Sequence, residues 1–252
     1  MRNKKETLCI MNIGQSESES PVEKKRLLYI DSYLAVFNKA CGDICEEPSL
    51  PFIFARCFKD LYGDSKPLPS FIHCFNRLDR PVSGAVLLVF DKALLPRLQN
   101  QFTEHQKKAL AVKKVYTAVL EGSLPISGDF ALLEHYLRFD ARRQKAFVCE
   151  KDARRAKLAR LLWRPVFSTG RYTFAEIELI TGRTHQIRCQ LAHEGYHIKG
   201  DVKYGARRSD PLGGIRLHAS RLRFEHPVTN EVIDIAAPLL KTDALWQAYG
   251  GF

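Results

Sequence analysis

The sequence predicts a single α+β domain. Three observations carry that reading: a length of 252 residues with 45% hydrophobic content, two cleanly alternating strand patterns, and helical patterns that interrupt the strands without regular alternation. Leu27–Ile30 and Leu34–Phe37, around the turn residues Asp31-Ser32, read as a short hairpin. Residues 47–70 hold four prolines and read as loop, with a helical turn between Phe52 and Leu61. Ile72–Phe75 reads as a short strand entering a turn, and Ala85–Phe90 as a buried strand. Leu94, Leu95, Leu98 and Phe102 recur at helical spacing within 91–109. Lys114–Leu120 alternates until Glu121-Gly122. Residues 123–171 are mixed and basic. Thr173–Ile180 alternates most cleanly and leads through Thr181-Gly182-Arg183 into a helix from about Thr184 to Glu194, stopped by Gly195. Strand-like pieces at 216–224 and 231–236 close the chain. There is no internal repeat and no long linker.

Charge narrows the function. Thirty-nine Lys and Arg against 28 Asp and Glu give a formal charge of +11, which favours a polyanionic partner. Between Arg138 and Arg171, eleven basic residues face three acidic ones, a local +8 that gains from counterion release on a phosphate backbone. The alternative is a solvated, arginine-rich helix face. The longest apolar runs, such as 84–90, are far short of the ~20 residues a membrane-crossing helix needs. Seven scattered cysteines complete no four-ligand zinc spacing and suit free thiols in a reducing cytoplasm. Residues 1–25 read as a flexible polar leader, with 26–252 as the folded domain.

Three constellations can carry chemistry. In His73–Gly84, Pro81 fixes its own φ and pushes Arg80 toward extended geometry, so Asp79 stands on a stiff turn at the mouth of a strand. An Asp beside Pro and Gly is also an ordinary turn residue. In Thr181–Arg188, Gly182 opens a strand-to-helix turn and puts Arg183 near a helix N-terminus, where the dipole opposes a cation unless a carboxylate faces it. Arg183 is therefore the candidate partner for a buried Asp, and Arg188, one turn on, a candidate for phosphate or solvent. On the alternating strand at 113–119, Lys114, Tyr116 and Ala118 share a face, so Tyr116 can stack on a base while lysines hold phosphates. A tyrosine packed into the core is the commoner outcome. Phosphate-binding glycine loops, His-Glu-x-x-His and nucleophile elbows are absent from the sequence, and His193 and His197 straddle Gly195, which separates them from a common helical face.

Taken in order, these pieces resemble the RluA-type pseudouridine synthases. The family's His-Arg-Leu-Asp-x-x-Thr-Ser-Gly corresponds to Asn76–Gly84, its Lys-x-Tyr-x-Ala to Lys114–Ala118, and its Thr-Gly-Arg-x-His-Gln-Ile-Arg to Thr181–Arg188 without mismatch. Gly-Asp-x-x-Tyr-Gly matches Gly200–Gly205, Leu-His-Ala matches Leu217–Ala219, His-Pro matches His226-Pro227, and Asn38–Gly42 is a recognisable Asn-Lys-Pro-x-Gly. The match spans about residues 27 to 240. Asn76, Val82 and Ala40 stand where the family usually has His, Thr and Pro, departures that bear on turn geometry and rate.

The resemblance implies one catalytic domain built on a central mixed, largely antiparallel sheet with a cleft on one face. It implies isomerisation of uridines in ribosomal or transfer RNA, with no cofactor, no metal and no membrane. By that analogy Asp79 is the nucleophile, Arg183 its partner, and Tyr116 the base-stacking ring. Leu217 would wall the base. His73, Arg77, Arg80, Lys114 and Arg188 would contact RNA, with the segment 138–171 gripping it outside the pocket. A monomer in the cytoplasm is expected. The rival reading is an inactive RNA-binding assembly factor on the same fold; the presence of Asp79, Tyr116 and Arg183 disfavours it.

Overall fold

A computed structural model describes residues 26–46, 49–104 and 112–250. The leader expected over 1–25 lies outside the described residues. Among the described residues eleven strands form one sheet. In chain order they are β1 (Leu27–Ile30), β2 (Leu34–Lys39), β3 (His73–Cys74), β4 (Ser83–Val89), β5 (Lys113–Glu121), β6 (Ala131–Asp140), β7 (Lys145–Cys149), β8 (Lys157–Ser168), β9 (Tyr172–Leu179), β10 (Leu217–Glu225) and β11 (Val232–Ala236). The helices are α1 (Ser49–Tyr62), α2 (Leu95–Glu104), α3 (Gln186–His193) and α4 (Ala244–Gln247), with short 3-10 turns at Lys92–Leu94 and Val202–Tyr204. The spatial order is β1-β2-β4-β10-β5-β9-β8-β6-β7, with β11 beside β10 and β3 beside β4. All pairings are antiparallel except β4 with β10, so the sheet is mixed and largely antiparallel, as expected.

The parallel joint positions the site. His218 lies opposite Ser83 and Ala219 opposite Gly84. A Cβ on Gly84, whose φ is +116°, would sit 2.3 Å from the Ala219 carbonyl oxygen, so only glycine lets the two backbones meet there. The turn carrying Asp79 is thereby brought to the middle of the sheet.

β2 and β4 are buried on both faces, which is why they read as continuous apolar runs. Ala35 and Phe37 of β2 join a cluster with Phe54 and Phe58 of α1, while Leu34 and Val36 point the other way, toward Leu98 of α2 and Phe224. A third cluster joins Leu137, Ala146 and Ala159 of β6–β8 to Cys189 of α3.

Several expectations are corrected. The helical turn expected at 52–61 is a 14-residue helix, with Pro51 tolerated in its first turn. The helix expected over 91–109 is a 3-10 turn followed by Leu95–Glu104; residues 105–109 lie outside the described residues. α3 starts at Gln186, two residues later than expected. The mixed, basic stretch 123–171 holds three strands, β6 to β8, and no helix face. In β8 both faces carry apolar side chains, Leu161 and Trp163 inward and Leu158 and Leu162 outward, so the period of two is masked. Among the described residues no helix is long and apolar enough to cross a membrane.

Candidate active site

The turn Asp79-Arg80-Pro81-Val82 is closed by the Val82 N–H donating to the Asp79 carbonyl at 3.0 Å. It is held from below by Lys39, a fully buried lysine whose Nζ lies 2.6 Å from the Val82 carbonyl and 3.1–3.3 Å from those of Ala40, Asp79 and Arg80. A buried ammonium needs such partners, and collecting them fixes the backbone curvature beneath the carboxylate. Asn76 adds a second brace: its Oδ1 accepts from Leu87 N–H and its Nδ2 donates to the Ala85 carbonyl, so asparagine at this position ties the turn to β4.

The Asp79 side chain opens into a cleft of about 740 Å³, within the range of ligand sites. Arg77, Arg80, Lys114, Tyr116, Arg183, Arg188 and Leu217 also line it. Leu217 lies opposite Ala118 in the β10–β5 register and so shares the face of Tyr116. His73 does not reach the cleft. It pairs with Val89 at the other end of β4 and stacks on Phe71 with ring centroids 6.1 Å apart.

The partner of Asp79 is Arg188, not Arg183. Arg188 Nη1 donates to Asp79 Oδ2 at 3.0 Å, while its Nε and Nη2 form a fork on the buried Asp201 at 2.7 and 2.8 Å. Burial works against the guanidinium charge, but the two carboxylates outweigh it and hold Arg188 firmly protonated. The ring of Tyr204 lies under the same guanidinium, 4.9 Å away. Arg183 instead donates from Nε to the Leu158 carbonyl of β8 at 2.9 Å and remains exposed at the cleft wall. The turn before α3 is set by Gln186, whose Oε1 accepts from Arg183 N–H and Thr181 O–H and whose Nε2 donates to the Arg160 carbonyl.

His185, not anticipated from the sequence, also faces Asp79, with Nε2 3.6 Å from the same Oδ2. Its φ of +57° is a left-handed conformation costing on the order of 1–3 kcal/mol in a non-glycine residue. Burial pushes its pKa below the ordinary histidine value, with Arg188 and Lys203 reinforcing and Asp79 opposing. Both basic neighbours thus contact Oδ2. Tyr116 is buried, and burial together with Asp79 pushes its hydroxyl above the usual phenol value. Lys114, also buried, is pulled down to about 8 by burial and by Arg183. Among the described residues it makes no ion pair; its Nζ lies 5.8 Å over the Phe102 ring.

Among the described residues one cluster has the composition of a metal site: His135, His193 and Glu194, whose ligating atoms lie within 4.8 Å of one another. Gln190 Nε2 lies 3.1 Å from His135 Nδ1, and His135 Nε2 lies 3.1 Å from Glu194.

A family model described as RNA pseudouridylate synthase matches residues 33–193. The chain belongs to that family. Among similar proteins, "tRNA pseudouridine synthase C" of Vibrio parahaemolyticus is 29% identical over 248 residues, covering 90% of this chain and 94% of the relative. "Ribosomal large subunit pseudouridine synthase C" of Buchnera aphidicola is 30% identical, covering 84% of this chain and 67% of the relative. The chain spans 60% of a longer relative, "tRNA pseudouridine synthase C" of Pectobacterium carotovorum. The fold matches the structure of human RNA pseudouridylate synthase domain containing 1, with a TM-score of 0.65 and 20% identity over 93% of this chain and 98% of that one.

The pseudouridylate synthase match ends at the helix that delivers Arg188, so Asp201 and Tyr204 lie beyond it. Sequence reasoning noticed Gly200–Gly205 as a motif but gave it no role. Phe139 of β6, which lines the cleft and meets His185 edge-on at 5.7 Å, carried no local signal at all.

Proposed function

We infer that this chain isomerises specific uridines of transfer or ribosomal RNA to pseudouridine. The observation that carries the reading is the Asp79 carboxylate, paired through Oδ2 with Arg188 at the wall of a cleft large enough for a nucleotide. The uridine leaves its stack to enter, as bases do in other enzymes that act on them. The Asp79 carboxylate starts the break of the bond between ribose C1′ and uracil N1, with Arg188 keeping it charged and aimed. The detached base turns, C5 bonds to C1′, the C5 proton is lost and N1 gains one, so the product is an isomer. Tyr116 stacks on the base and takes part in the late proton transfer, and Leu217 forms the apolar wall.

Arg77 and Arg80 at the rim and Lys114 and Arg183 within the cleft are the nearest cations for the nucleotide's phosphates. Arg77 is shared with Glu46 at 3.1 Å. Of the basic stretch, Arg160 and Arg164 are engaged by Glu134 and Glu176, so the grip falls to exposed residues such as Arg138, Arg142, Arg143, Arg154 and Arg155. The relatives' names suit transfer and ribosomal RNA as substrates. The test is incubation of the purified protein with total RNA from cells lacking the gene, followed by pseudouridine mapping. New pseudouridine at defined sites is expected; RNA binding without any isomerisation overturns the reading.

A further inference from the structure

We propose that the Gly200–Gly205 loop positions the reacting carboxylate, and that the Tyr204 hydroxyl does so by selecting the tautomer of His185 that faces Asp79. The proposal rests on the reading of Asp79 as the reacting group.

Tyr204 Oη lies 3.0 Å from His185 Nδ1. It also accepts the Ala146 N–H at 2.8 Å, and it can donate instead to the Ala146 carbonyl at 3.2 Å. The phenol has one proton to place. If it goes to His185 Nδ1, the imidazole proton sits on Nε2 and points at Asp79 Oδ2. In the other tautomer, an Nε2 lone pair would confront the carboxylate. Asp79 therefore favours the arrangement in which Tyr204 donates to Nδ1 at 3.0 Å rather than to the Ala146 carbonyl at 3.2 Å, in the way second-layer partners fix histidines elsewhere. His185 needs such a hold because its own backbone is strained.

The same loop acts on the other group facing Asp79. Asp201 takes two of the Arg188 nitrogens and leaves Nη1 for Oδ2, while the Tyr204 ring supports the guanidinium. Two residues three apart in sequence thus aim two basic side chains at a single oxygen. The charged and titratable groups around His185 are Asp79 from the turn, Arg188 from α3, and Asp201, Lys203 and Tyr204 from the loop. From β6, Phe139 contributes only an uncharged ring edge.

Tyr204→Phe keeps the ring and removes the hydroxyl. Nδ1 then loses its donor, protonation of His185 becomes easier, and an imidazolium crowds Asp79 at higher pH. The expected result is a kcat lowered about tenfold with KM within twofold, and an acid limb of the rate profile displaced upward by half a pH unit or more. A role confined to packing would leave that limb in place. The direct measurement is made on the wild type. Nitrogen-15 chemical shifts of histidine-labelled wild-type protein, with the His185 signal identified by its loss in His185→Asn, report the tautomer. A neutral His185 protonated at Nε2 is expected. A proton on Nδ1 in the wild type, or an unmoved acid limb in a folded Tyr204→Phe protein, overturns the proposal. Absence of pseudouridine from wild-type reactions would instead defeat the functional reading, with the tautomer still measurable.

Discussion

Arg188 Nη1 and Asp79 Oδ2 lie 3.0 Å apart, although 109 residues separate them and Arg183 stands nearer the turn that opens α3. A side chain in the first turn of a helix points back toward its N-terminus, which carries Arg188 to Asp79. Arg183, ahead of the helix, turns outward to the Leu158 carbonyl. Arg188→Met is expected to lower kcat at least about a hundredfold. Arg183→Met should weaken RNA binding no more than about tenfold and leave kcat nearly unchanged. Single-turnover rates at saturating protein separate the two, and the opposite ranking would restore Arg183 as the partner.

The strongest sequence signals were those written in one element at a time. The alternation of β9 and β5, the Gly182 turn into α3, and the stiff turn at Pro81 each depend on near neighbours, and each was legible. The ion pair was not, because it depends on how α3 lies over the β3–β4 turn. Asp201 and Tyr204 sit in a loop with no period, so only their contacts reveal them. β6 to β8 were missed because outward-facing leucines and arginines alternate with inward-facing apolar residues and blur the pattern.

Lys114 should make RNA binding sensitive to mild alkali. Its pKa lies at about 8 because burial and Arg183 disfavour the charge, so the ammonium is lost as pH rises through that value. The dissociation constant for substrate RNA, measured between pH 7 and 9, should rise several-fold more for wild type than for Lys114→Met. Parallel pH dependences in the two proteins would remove Lys114 from the binding surface.

His218 should weaken the fold in acid. It is buried between Ser83 Oγ and the Ala237 carbonyl, and burial brings its pKa to about 4. The unfolded histidine titrates near 6.5, so between those values the unfolded chain takes up a proton that the folded chain refuses. Stability is full above pH 6.5 and falls toward pH 4, by about 3 kcal/mol from this residue. Urea titrations of wild type and His218→Asn across that window should show a shallower pH slope for the variant. Equal slopes would contradict the assignment.

The exposed part of the basic stretch should act through phosphates. Reversing Arg142 and Arg143 to Glu should raise the dissociation constant for RNA at 0.1 M salt. The same change should flatten its logarithmic salt slope by at least about 1.4, the share of two lost phosphate contacts on a single strand. An unchanged slope would make this hairpin tip a solvated surface.

The central claim is that Asp79 is the reacting carboxylate. The most direct measurement is release of tritium from RNA labelled at uracil C5, comparing wild type with Asp79→Asn, a near-isosteric change at a partly exposed position. Wild type should release tritium, and the variant should lose at least about a thousandfold in rate while keeping its melting temperature and RNA affinity within narrow limits. Release by a folded Asp79→Asn protein at a rate near wild type would contradict the account.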